Sequence, residues 1–371
     1  MLQTFRKAFQ IEDIRRKILY TLAMLFVVRL GSQLPTPGVD PTYIQNFFAN
    51  QTGDSFNFFN AFTGGSFETM SIFALSITPY ITSSIIIQLL TIAIPALEEM
   101  HRDGEEGRKK MTAITRYVTV GLALFESVAM TIGFARGNIV QDMNVLKGIV
   151  VVVSLTAGSA MLMWIGERIT EKGIGNGISM IIAAGIIARL PHQMITAWET
   201  VVDTSSSSAT FNGILGFAGY ILCYLLIIVF VVFMQTAERK IPIQYTSSTV
   251  TTRKKDMTYL PLKINSASVI PVIFASSLMV APLSIVKMIT SADWVNTLEY
   301  FLGLQTPVSL VIYVVLTILF TFFYTQMQVD PSKIAENLGK SGTYIPGIRP
   351  GSETKEYINK VLNRITVLGA L

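Results

Sequence analysis

The sequence predicts an all-α polytopic membrane protein, and three observations carry the prediction. Hydrophobic residues make up 51% of the 371-residue chain and charged residues only 14%, against about 25% charged in an ordinary soluble domain; the mean hydropathy is +0.51. Apolar runs close to the roughly 20 residues that cross a ~30 Å hydrocarbon core recur along the chain. Finally, 24 of the 29 Lys and Arg residues fall in alternate connecting segments, beginning with the N-terminus. A water-soluble globule, a disordered chain and a collagen-like repeat are excluded by composition. A disulfide scaffold is excluded because the single cysteine, Cys223, has no partner in the chain and sits in an apolar run.

Eight runs read as spans, at about 18–34, 72–96, 117–134, 148–165, 177–198, 213–235, 267–285 and 307–324. The basic residues number five in 1–17, five in 97–116, two in 166–176, six in 236–266 and six in 325–371, so these segments face the cytoplasm and the N-terminus is cytoplasmic. Arg15, Arg16 and Lys17 precede the first run without a small-residue cleavage site after it, which makes that run a helix and not a signal peptide. Residues 1–17 form a cytoplasmic segment and 18–198 a first half of five spans. A serine-rich hinge follows at 199–212, and 213–371 is a partial second half with cytoplasmic loops 236–266 and 325–360. Five spans in one half force the next to start on the opposite face, the parity of an inverted repeat with ten spans in all. The apolar residues 365–371 are expected to begin the ninth.

Several features depart from ordinary span sequence. Gly64-Gly65 precede 67–76, and Thr78-Pro79 follow as an N-cap and a first-turn proline. The second run is therefore expected to break, leaving a re-entrant half-helix at 67–76; one proline-kinked helix is the alternative. The fifth span is short in apolar length, with eleven residues before Arg189 and Pro191. It opens after Gly173-Ile174-Gly175-Asn176-Gly177, which lacks the spacing and the preceding strand of a dinucleotide loop. Arg29 and Arg189, near the outer ends of their spans, read as snorkelling side chains. Glu126 lies at mid-depth of the third span, where a carboxylate must find a partner or a proton; Thr82, Gln88 and Asn265 are candidate neighbours, and a packed, satisfied interior is the plainer reading. His101 and His192 lie in a loop and at a span end, and no metal-ligand cluster or embedded serine–histidine pair is present, so neither a cofactor nor an enzyme is expected. A secondary transporter with five-plus-five repeats remains an alternative, although Glu126 is its single midplane charge. The length of loops 236–266 and 325–360 exceeds what a connection needs, which suits a docking surface as well as positive-inside topology.

Several segments together resemble the SecY family: Phe62-Thr63-Gly64-Gly65, Ser71-Ile72-Phe73-Ala74-Leu75, Pro79-Tyr80-Ile81-Thr82-Ser83-Ser84, Gly104-Glu105-Glu106-Gly107-Arg108-Lys109-Lys110, Trp164-Ile165-Gly166-Glu167-Arg168 through Gly177, Leu260-Pro261-Leu262-Lys263-Ile264-Asn265 and Ile345-Pro346-Gly347-Ile348-Arg349-Pro350-Gly351. The resemblance covers the whole chain. It implies a clam-shell of two inverted five-helix halves around an hourglass pore that conducts polypeptides across the bacterial plasma membrane. It also implies a plug at about 64–73 (Gly64, Gly65, Phe67, Met70, Ile72 and Phe73) and a pore ring of Ile77, Ile81, Ile178, Ile182 and Ile273. A lateral gate for signal sequences and transmembrane segments would include Thr82, Gln88, Glu126 and Asn265, with Glu126 standing where glutamine is expected. Docking for a ribosome or the SecA motor ATPase would fall on Arg239, Lys240, Arg253, Lys254, Lys255 and above all Arg349, though the first loop departs from the pattern in its Ser/Thr-rich stretch 246–252. Implied partners are SecE- and SecG-type small membrane subunits, unfolded preproteins and membrane lipid.

Overall fold

The computed structural model describes residues 9–39, 60, 63–136, 144–202, 207–245, 258–289, 293–304 and 306–370. The helices are α1 Glu12–Gly31, α2 Thr78–Ala93, α3 Pro95–Arg102, α4 Gly104–Arg136, α5 Val145–Lys172, α6 Gly177–Val201, α7 Ser207–Thr236, α8 Ile270–Ile289, α9 Asp293–Leu302, α10 Pro307–Gln328, α11 Pro331–Lys340 and α12 Ser352–Ala370; three strands are β1 Glu238–Tyr245, β2 Thr258–Lys263 and β3 Thr343–Tyr344. Among the described residues, five helical stretches are long and apolar enough to cross a membrane: Gly104–Gly133, Val145–Lys172, Gly177–Val201, Thr210–Thr236 and Pro307–Lys340. Thr78–Ala93 and Ile270–Val280 are apolar but shorter. The first expected span, within α1, begins behind Glu12, Asp13, Arg15, Arg16 and Lys17 and ends at Arg29 and Gly31.

Local chemistry sets the breaks. The run expected at 72–96 divides twice: residues up to Ile77 are turns, α2 follows, and Ile94 is extended at φ −115° and ψ 111° because Pro95 disfavours helical geometry in the residue before it. Pro95 then opens α3. Thr78 is the first helical residue and Ile77 the cap, one position earlier than the sequence suggests. The fifth span, expected at 177–198, is α6, which runs through Pro191 to Val201. The apolar stretch after Pro307 is interrupted at Asp330, whose carboxylate accepts from the Ser332 and Lys333 amides at 2.9 and 3.5 Å and caps α11, with Pro331 in its first turn.

The chain divides into two compact units, 1–196 with 277–310, and 197–276 with 311–371. In the first, α1, α2, α5 and α6 share one apolar core through Val28, Phe73, Ile77, Leu162, Ile165, Ile169 and Ile181. Near the glycine-rich turn before α6, the Thr21 hydroxyl accepts from the Ile174 amide at 3.1 Å and the Thr170 hydroxyl from the Gly177 amide at 2.8 Å. The Asn176 carboxamide caps α6. Arg116 of α4 pairs with Glu167 of α5 at 2.8 Å.

The second unit corrects the all-α expectation. β1 pairs antiparallel with β2, Glu238 opposite Lys263 through Ile243 opposite Thr258, and β3 joins at Gln244 and Tyr245, for an order β2-β1-β3. Strand alternation explains the sheet: Ile241 and Ile243 are buried while Lys240, Pro242 and Gln244 are exposed. These isoleucines and Leu262 form a core with Leu338 of α11, Ile345, and Ile358, Leu362 and Ile365 of α12. α12 begins at Ser352, ahead of the apolar residues from 365 onward, and its buried stripe at 354, 358, 362, 365 and 366 is a helical face.

Candidate functional site

Irregular backbone is concentrated in residues 63–77 of the first unit. Gly64 and Gly65 adopt φ 65° and 90°, and Met70 and Ser76 are held left-handed at φ 45° and 52°. A non-glycine residue in that region costs on the order of 1 kcal/mol or more, so neighbouring contacts must over-determine it. A bridge joins Pro35 to Ser71. The Thr36 amide donates to the Met70 carbonyl at 2.9 Å and the Ile72 amide to the Leu34 carbonyl at 3.0 Å. Three-residue turns close from Met70 to Phe67, from Ala74 to Ser71 and from Ser76 to Phe73. The half-helix expected at 67–76 is thus a series of turns, because two left-handed residues and a strand-like bridge interrupt any continuous right-handed helix. Phe67, Met70, Ser71 and Phe73 are all buried.

Glycine makes the close approach possible. A Cβ on Gly158 of α5 would lie 2.0 Å from the Ile72 carbonyl oxygen, and one on Gly64 would lie 2.8 Å from Cα of Gly185 on α6. The segment is thereby pressed against α5 and α6. Its apolar side shares one core with four of the five expected pore-ring residues: Phe73 and Ile77 are members of that core, and Ile81, Ile178 and Ile182, with Ile72, pack against it. Ile81 follows Ile77 by one helical turn, its amide donating to the Ile77 carbonyl at 3.1 Å. Ile273 lies half-buried on α8 in the second unit.

The polar side of the segment uses residues that sequence reasoning assigned elsewhere. Arg189 donates to Glu68 Oε2 at 2.9 Å, and the Asn60 amide group donates to the same oxygen at 2.6 Å. Arg29 donates to the Gly64 carbonyl at 3.2 Å. The two arginines expected to snorkel are therefore bound to the segment. A signal existed in Glu68, a charge within an otherwise apolar and small-residue stretch. Nothing in the sequence marked Gly158 or Gly185. A small cavity remains beside the segment, with Arg29, Ser32, Thr63, Ser66 and Ser76 on its wall.

The expected gate residues are divided between the units. Thr82 and Gln88 lie on α2, Glu126 is half-buried on α4, and Asn265 follows β2 in the second unit. Buried Thr82 Oγ1, Gln88 Oε1 and Asn265 Oδ1 have no hydrogen-bond partner among the described residues. The Gln88 amide reaches Ser84 at 3.4 Å, and that of Asn265 reaches Gln235 at 3.4 Å. Of the docking candidates, Arg239 and Lys240 are exposed on β1 and Arg349 is exposed before α12. Arg349 has a fixed backbone: its amide donates to Glu353 at 3.4 Å and its carbonyl accepts from Thr354 at 2.8 Å. Arg253, Lys254 and Lys255 lie outside the described residues. No group of His, Cys, Asp or Glu that could hold a metal ion occurs among the described residues.

Residues 71–371 match the family model described as SecY. The whole chain is 40% identical to the protein translocase subunit SecY of Staphylococcus aureus, covering 86% of that protein, and 41% identical to that of Staphylococcus epidermidis, again over 86%. Two solved structures match 96% of this chain and 83% of their own. One, described as the structure of a protein conducting channel, gives a TM-score of 0.66 at 18% identity; Sec61 in the canine ribosome-channel complex from the endoplasmic reticulum gives 0.61 at 17%. The fold is that of a polytopic, largely helical membrane channel. The chain belongs to the SecY family.

Proposed function

We propose that this chain is the central pore-forming subunit of a protein translocation channel in a bacterial plasma membrane, passing unfolded secretory polypeptides and releasing transmembrane segments sideways into lipid. The observation that carries the reading is that the turn segment 63–77 contributes Phe73 and Ile77 to the one apolar core against which Ile81, Ile178 and Ile182 pack. It is a stopper on an apolar constriction. A collar of branched apolar side chains is costly to wet and so holds back ions, yet its side chains can part around an extended polypeptide. Ile77, Ile81, Ile178 and Ile182 supply that collar in the first unit, and the resemblance to the family adds Ile273 as its fifth member. Thr82, Gln88, Glu126 and Asn265 are assigned to the lateral gate; the unfilled hydrogen-bonding capacity of Thr82, Gln88 and Asn265 suits groups that exchange partners as the gate parts.

Topology follows the positive-inside reading, with eight spans and a cytoplasmic N-terminus. The sheet and α12 then present Arg239, Lys240 and Arg349 to a ribosome or to the SecA motor ATPase, which supply the driving force. SecE- and SecG-type subunits and lipid cover apolar helix faces such as that of α7, where Leu222, Leu225 and Phe233 are exposed.

The direct test places photo-crosslinking residues at Ile81 and Ile178 in the assembled channel and presents a stalled secretory chain. Crosslinks at both, and none at Leu225, are expected; bound partners with no crosslink at either position would overturn the assignment. Replacing Ile81 and Ile178 together by glycine is also expected to raise resting ion leak in vesicles several-fold, since it removes two large apolar groups from the constriction. Wild-type leak in that variant would remove these residues from the seal.

A further inference from the structure

We infer that Arg189 and Glu68 form an electrostatic latch that positions the stopper segment in its closed seat. The inference rests on the channel reading above. Glu68 Oε2 receives two donors, the Arg189 guanidinium at 2.9 Å and the Asn60 amide group at 2.6 Å. Asn60 is itself buried and tied into the segment: its side-chain oxygen accepts from the Glu68 amide at 3.2 Å, and its carbonyl accepts from the Gly65 amide and the Thr63 hydroxyl, each at 3.1 Å. The pair therefore joins one rigid knot of the segment to the α6 helix. Arg29 adds a second arm from α1 through the Gly64 carbonyl.

Three features make this a latch and not ordinary packing. The segment is joined to α1 and α6 at its polar end by charged donors, whereas its apolar end rests on the isoleucine core. The cavity beside it leaves part of its inner surface unpacked. The Arg189 side chain is 19% exposed and that of Glu68 41% exposed, so either can exchange its partner for water when the segment leaves. Such a pair contributes modestly and reversibly where water reaches it. That property suits a device that must hold and then let go. Arg189 and Glu68 are positioning residues: they set where the segment rests and need not touch the translocating chain.

The test reads segment position without requiring translocation. In the assembled channel, with Cys223→Ala as background, Ser71→Cys places a small thiol at a fully buried position of the segment, and its maleimide labelling rate is measured. Arg189→Gln and Glu68→Gln are each expected to raise that rate about tenfold, as loss of a charged hydrogen bond allows. The charge exchange Glu68→Arg with Arg189→Glu is expected to return it to within a few-fold of the parent. Parent-like labelling in both single variants, or an exchanged pair that labels as fast as the singles, would overturn the latch. Translocation assayed on the same samples separates the two proposals: a channel that translocates with unchanged labelling loses the latch alone, and one whose labelling responds but which never engages a polypeptide loses the channel reading alone.

Discussion

Replacing Gly158 by alanine is expected to unseat the segment 63–77 and open the resting channel to ions. The added Cβ would stand 2.0 Å from the Ile72 carbonyl oxygen, and the obstacle is backbone, so no side-chain rotation relieves it. Either α5 retreats or the segment lifts. α5 is held by Leu155, Leu162, Ile165 and Ile169, all buried at 2% exposure or less, and by the Arg116–Glu167 pair. The segment is held by two hydrogen bonds to residues 34–36, its arginine contacts and the packing of Phe73 and Ile77 in the shared core, but its backbone is irregular, with two non-glycine residues held left-handed. The segment is the softer body and should move. Overpacking of this kind costs ~1–3 kcal/mol, and about 1.4 kcal/mol is tenfold in an equilibrium. Resting leak in vesicles should therefore rise roughly tenfold or more, with faster labelling of a Ser71→Cys reporter. A tight, parent-like channel carrying Gly158→Ala would show that the Ile72 contact does not set the segment's position.

Replacing Ile358 by aspartate should disrupt the strand-and-helix module of the second unit as a whole, and with it the docking surface proposed above. Ile358 is fully buried in the core that joins β1, β2, α11 and α12. A carboxylate there loses its water without gaining a partner, at a cost of several kcal/mol, and the three-stranded sheet has little other apolar support. The expected result is rapid tryptic cleavage after Arg239, Lys240 and Lys263, together with loss of ribosome and motor binding. Arg349→Ala is the informative contrast. Its side chain is exposed and its structural hydrogen bonds come from the backbone, so binding should weaken by about tenfold while protease resistance stays unchanged. Equal proteolysis of the two variants would assign Arg349 a structural role; unchanged binding in Arg349→Ala would remove it from the docking surface.

The membrane character of this chain was legible from composition and hydropathy alone, because transfer into lipid is a sum over residues and needs no knowledge of neighbours. The same holds for breaks set by local chemistry: Gly64-Gly65 and Thr78-Pro79 were visible in the sequence, and the second run was expected to divide between them. Local rules failed where a long-range partner decided the outcome. Residues 67–76 carry the composition of a short helix, but hydrogen bonds from Thr36 and to Leu34 turn them into a bridged set of turns. The alternation of Ile241 and Ile243 was too short to announce a strand before β2, β3 and α12 supplied its neighbours.

The candidate site divides along the same line. Ile77 with Ile81, and Ile178 with Ile182, could be paired by their four-residue spacing, since that spacing is a property of one helix. That they share one core with Phe73 required the packing of α1, α2, α5 and α6. Arg29 and Arg189 show the difference most plainly. By sequence each is a long cation near a span end, for which snorkelling is a complete account. In the folded chain each finds an acceptor 35 and 121 residues away along the sequence, and Gly158 and Gly185 acquire meaning only from the backbone pressed against them. Sequence by itself determined that the chain is a largely helical membrane protein, that its second apolar run divides at Thr78-Pro79, and which loops carry positive charge, because those follow from the preferences of single residues and near neighbours. Tertiary structure alone decided what holds the stopper in place, because charge pairing and steric contact act over a few ångströms in space whatever the separation along the chain.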